Sequence, residues 1–147
     1  MKTLFLLVTV SASALALAPH SDENERLNKL LDDRVKANRE ILKENLAIYD
    51  DVDDSQEWKR VEKESNAALI ELLEYCRKSE DNKLKRMMLK NEYYMELIYS
   101  LSEKDVAVEN KSLGEGDPAE NDAAIKVAEK MIARYRKKIL ELGDAIQ

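Results

Sequence analysis

Cysteine, histidine, proline, glycine and aromatic residues are all scarce in this sequence. Its 147 residues include one Cys, one His, two Pro and three Gly, and aromatics make up 5%. A single cysteine closes no internal disulfide, so the fold must hold by packing. One His and one Cys do not furnish the common zinc ligand sets. The three glycines form no phosphate-cradling loop or dinucleotide fingerprint, and no Ser/His/Asp set is present. These absences argue against an enzyme and against a resident cofactor or metal. With so few aromatics, the core must be Leu, Ile, Val, Met and Ala with a few Tyr, which favours helices over sheets. With only Pro19 and Pro118 to break them, those helices can be long.

The charge balance is 24 Lys+Arg against 30 Asp+Glu, a net charge of −6. Such a chain has no general attraction for nucleic acid or anionic lipid. A hydrophobic fraction of 44% is too high for a disordered polymer, although 37% is charged. The length suits one domain.

The first residues read as an export leader. Lys2 is followed by an apolar run from Leu4 that closes on small residues at Ala18, too short to span a bilayer and stop. Ala14-Leu15-Ala16 fits the small-x-small cleavage rule. Ala16-Leu17-Ala18 also fits but places Pro19 directly after the cut. The expectation is a signal peptide over 1–16, cut after Ala16 with Ala18 as alternative, and an extracellular mature domain over 17–147 with a flexible N-terminal tail holding His20.

Four amphipathic helices are expected. The first covers about 22–49, with a stripe of Leu27, Leu31, Val35, Asn38, Leu42, Leu46 and Tyr49 in steps of three and four. The second is capped by Asp54 or Ser55, with Glu57 completing a capping box, and its stripe is Trp58, Val61, Ser65, Ala68/Leu69, Leu72 and Cys76. The third reads Leu84, Met87/Met88, Asn91, Tyr94/Met95, Ile98 and Leu101. Its phase differs from that of the second, so a break or kink is expected at 79–82. A loop is expected at about 104–116. Asp117-Pro118-Ala119-Glu120 announces the fourth helix, whose stripe is Ile125, Ala128, Ile132, Tyr135, Ile139, Leu142 and Ile146. The fold class expected is an all-α antiparallel bundle, with helices two and three as separate elements or one bent helix.

Five places invite a functional reading. Asp51, Asp53, Ser55, Glu57 and Glu62 occupy the oxygen-ligand positions of a calcium loop, but Gln56 stands where the sharp turn needs Gly, and an acidic interhelix turn is preferred. Arg134, Arg136, Lys137 and Lys138 form a basic patch that could grip a glycan or headgroup; the simpler reading is a solvated helix face complementing the dipole. Cys76 is either a buried thiol, which leaves a monomer, or an intermolecular disulfide; the buried thiol is preferred. Asn110-Lys111-Ser112 is a glycosylation sequon, usable in an exported eukaryotic chain. Met87, Met88, Tyr94 and Met95 could line an apolar ligand cavity, though plain core is preferred.

The leading functional expectation is a secreted helical module that binds an unidentified partner protein through a helix face, outside the producing cell. The alternatives are a carrier of a fatty acid or similar ligand, and membrane-surface or glycan binding through helix four.

Overall fold

In the computed structural model the backbone is described for residues 3–50 and 57–143, and the side chains for 22–45 and 57–143. The described residues form four helices and no strand: α1 (Thr3–Asp50), α2 (Glu57–Lys78), α3 (Asn82–Leu113) and α4 (Pro118–Glu141). The protein is all-α. It divides into two compact units, Met1–Arg86 and Met87–Gln147.

In the first unit α1 packs against α2. The buried side chains are Leu27, Leu31 and Val35 of α1 and Ile70, Leu73 and Cys76 of α2. Ion pairs flank this seam, and their partners run in opposite chain order. Glu23 pairs with Arg86, Asp32 with Arg77 at 2.6 Å, and Arg39 with Glu74. Asn38 is half-buried and donates to the carbonyl of Arg34 in its own helix.

α1 does not begin near residue 22. It is helical from Thr3, through Pro19 and His20. Residues 3–18 are rich in Leu and Ala, both strong helix formers, and no glycine separates them from the rest of α1.

The seam of α2 also differs from its expected stripe. Trp58, Val61 and Leu72 are exposed, and only Cys76 of that set is buried. The buried line is Ile70, Leu73 and Cys76, about 100° around the helix from Leu72. Leu72 and Leu73 are equally apolar, so periodicity does not choose between them. The partner does: Glu74 and Arg77, which pair with α1, lie on the same side as Ile70 and Leu73.

The break between α2 and α3 is where it was expected, at residues 79–81. Capping accompanies the expected change of phase. Asp81 Oδ1 accepts from the amides of Lys83 and Leu84 at 2.9 and 3.2 Å, and Ser79 Oγ accepts from the Asp81 amide. The buried phase changes across the break: extended by sevens, Ile70, Leu73 and Cys76 fall on Lys83, Leu84, Met87 and Lys90, whereas the buried residues of α3 include Asn82, Leu89 and Tyr93. Just past the break lies Lys85, fully buried, whose ammonium donates to Asn24 Oδ1 at 2.6 Å and to Asn28 Oδ1. Burial pushes the Lys85 amine below its ordinary value of 10.5.

No loop occupies 104–116. α3 continues to Leu113, and only residues 114–117 are non-helical. The stretch lacks a broad apolar stripe, yet it contains no breaker before Gly114. Lys104 and Lys111 anchor it to Glu129 and Asp122 of α4 at 2.8 and 2.6 Å. The end of α3 is a Schellman turn. Gly114 takes φ +70°, its amide donates to Lys111, and the Glu115 amide donates to Asn110. Asp117 then caps α4 as expected, accepting from the Ala119 amide at 2.7 Å, with Pro118 in the first turn.

Within the second unit, α4 buries Ala128, Ile132, Tyr135 and Leu142. Ile125 and Ile139 are half-buried, so its stripe matches the expectation as far as residue 142. Ile146 lies outside the described residues. The Tyr135 ring meets Tyr93 of α3 with centroids 6.1 Å apart.

The two adjacent leucines of α2 separate the observed seam from the expected one. Leu73→Ala should cost about 2–5 kcal/mol, and Leu72→Ala no more than about 0.5 kcal/mol, in chemical denaturation. Equal losses would contradict the observed register.

Candidate functional site

Two features of the second unit stand out: an apolar line of α3 turned to solvent, and a cleft between α3 and α4.

The line is the stripe expected to be core. Met87, Tyr94, Met95, Ile98 and Leu101 recur at steps of three, four and seven, with Asn91 at the remaining position. They are exposed, from 37% at Leu101 to 60% at Met87. Tyr99 and Val106 extend the patch. The buried line of the same helix, Leu89, Tyr93, Ser100 and Ala107, lies on the other side. Of the residues proposed to line an apolar cavity, Met88 is buried, whereas Met87, Tyr94 and Met95 stand in solvent and enclose nothing. Their spacing marked an apolar face correctly but could not say which way it points. The Tyr99 hydroxyl bonds to Glu103, whose carboxylate pushes the phenol above its ordinary value.

The cleft holds about 470 Å³ and is lined by Ser102, Glu103, Val106, Ala107 and Asn110 of α3 and Asn121, Ala124 and Val127 of α4. It exists because small side chains face each other there; Ala107 and Ala124 fill less of the interhelical space than the Tyr93–Tyr135 pair does elsewhere on the seam. Asn121 closes one end, its amide donating to the Glu115 carbonyl at 2.8 Å. Beside it, Lys111 holds the Asp122 carboxyl below its ordinary value of 3.8. The run of small residues was the one signal in the sequence that pointed to this opening.

The remaining candidates are dispersed. Asp51, Asp53 and Ser55 of the calcium-loop spacing lie outside the described residues. Glu57 and Glu62 are exposed on α2, and Glu57 pairs with Arg60 at 3.7 Å. No cluster of metal-binding side chains occurs among the described residues. Arg134, Arg136 and Lys137 are exposed, and Lys137 pairs with Glu141. Lys138 leaves that group: its ammonium lies 5.0 and 5.6 Å from the rings of Tyr93 and Tyr135, closing the hydrophobic seam with a cation–π contact. Cys76 is a free, buried thiol that burial pushes above its ordinary pKa, with Lys85 opposing the shift. Asn110 is not in a loop; it lies in the last turn of α3, half-buried at the cleft wall.

No protein-family model, curated protein or solved structure matches the chain.

One titration and one labelling experiment test this picture. Asp122 should lose its proton below pH 3.8, so its pairing supports the hairpin above that range and is lost as pH falls through the lowered pKa. Lys111→Met should return the NMR titration of Asp122 towards 3.8. Cys76 should resist a thiol reagent in the folded chain and react fully in denaturant; rapid labelling without denaturant would contradict its burial.

Proposed function

We propose that the chain is an exported helical protein, an antiparallel bundle in its mature form, that binds a partner protein outside the producing cell. Docking takes place through the solvent-facing apolar line of α3. That line is the observation that carries the reading. Exposed apolar side chains in one contiguous helical patch are costly to leave in water, and they characterise protein interaction sites. Met and Tyr suit the task. Met adapts to the shape it meets, and Tyr offers a broad apolar ring with a polar tip.

Export rests on the leader: a positive Lys2, a short apolar run and small residues at the cleavage positions. No helix of the described residues is long and apolar enough to cross a membrane. The secreted chain should begin at Leu17, or at Pro19 if the alternative site is used. N-terminal sequencing of medium-derived protein decides this, and secreted material that retains Met1 would overturn the leader.

The docking face is tested with a photoreactive group at Tyr99. Met95→Glu combined with Ile98→Glu should reduce capture of the partner about tenfold or more, since central interface residues each contribute on the order of 2 kcal/mol. Both positions are exposed, so the helical circular dichroism and melting temperature should not change. Undiminished capture by the double variant would exclude this face.

A further inference from the structure

The sequon of α3 and the cleft beside it occupy the same place, and Val106 at the edge of the apolar patch is the one residue that the cleft shares with it. We propose that Asn110 is an N-glycosylation acceptor and that the cleft between α3 and α4 seats the first N-acetylhexosamine of the glycan. The inference depends on the export proposed above.

Asn110-Lys111-Ser112 supplies the acceptor amide and the hydroxyl two residues on that transfer requires. It is the one place in the sequence where Asn is followed at that spacing by Ser or Thr. The Asn110 carbonyl is engaged by the Glu115 amide in the Schellman turn, while its side chain lines the cleft. The cleft offers a sugar two kinds of surface. Val106, Ala107, Ala124 and Val127 form an apolar floor for the flat face of a pyranose ring. Ser102, Glu103 and Asn121 stand around it as polar groups for the ring hydroxyls and the acetamido group. Its volume of about 470 Å³ falls in the range of sites that hold small molecules, and a single sugar is within that range.

In the folded chain Ser112 Oγ donates to the Glu109 carbonyl at 2.8 Å. The hydroxyl is therefore turned back along the helix, and transfer must precede closure of this turn, on the emerging chain. The donor is a lipid-linked oligosaccharide pyrophosphate. Asn110 Nδ2 bonds to the anomeric carbon of the first sugar and gives up one proton. The pyrophosphate leaves that carbon with the bonding electron pair, and nothing is oxidised or reduced. When the last turns of α3 then form and α4 docks, the sugar lies over the gap that the small residues leave.

The test expresses the full chain, with its leader, in a eukaryotic secretory cell line. The secreted protein should carry a mass increment that peptide N-glycosidase removes. N110Q and S112A should each abolish it, and S112T should retain it. Exported chain of unmodified mass would overturn the inference and leave the export reading standing; chain held in the cytosol with its leader intact would overturn both. Seating is read separately. After the glycan is trimmed to one sugar, amide hydrogen exchange at Ala107 and Ala124 should be slower than in N110Q, and identical rates would refute the cleft as its seat.

Discussion

Two long helices of this protein, α2 and α3, carry apolar residues on two sides, and one packed neighbour covers only one of them. On α2 the lines are Ile70–Leu73–Cys76, which is buried, and Trp58–Val61–Leu72–Tyr75, which is exposed. On α3 they are Leu89–Tyr93–Ala107 and Met87–Met95–Ile98. Hydrophobic burial scales with area removed from water, so either line would serve as a core. The choice passes to groups that are expensive to misplace. Arg77 and Glu74 reach charged partners on α1 only when Ile70 and Leu73 face it. The buried Lys85 adds to this selection. Its ammonium is satisfied by Asn24 and Asn28, and any rotation of the helix would leave a desolvated cation without acceptors, a cost well above that of exchanging one leucine for another.

The same logic accounts for the junctions. Ser79 and Asp81 stop α2 and start α3 by offering oxygens to amides that lack intrahelical partners. Gly114 stops α3 because the Schellman turn needs positive φ, which a side chain would strain. Between them, residues 104–113 remain helical without a broad apolar stripe because salt bridges to α4 and a buried Ala107 suffice once α4 is in place. The helix is extended by its tertiary partner and not by its own pattern.

The seam between α3 and α4 grades from aromatic to small. Tyr93, Tyr135 and the overlying Lys138 fill one end, and Ala107 with Ala124 leaves the cleft at the other. That gradient separates two surfaces of one helix: the exposed apolar line on one side and the recess beside α4. The basic cluster of α4 loses a member to the same gradient, since Lys138 serves the seam.

Class and punctuation were legible in the sequence. The scarcity of Gly, Pro and aromatics set an all-α chain. Asp117-Pro118 marked the start of α4, and residues 79–82 marked the break before α3. The α4 stripe was also legible, because Ala128, Ile132, Tyr135 and Leu142 offer a single apolar face and leave no alternative register. On α2 and α3 the expected stripes lie off the buried line except at Cys76 and Met88, and the cleft was not foreseen. Periodicity measures spacing along one helix, and two lines 100° or more apart have the same spacing. Which line is core is a property of the pair, fixed by ion pairs and by one buried ammonium whose partners lie some sixty residues away in the chain.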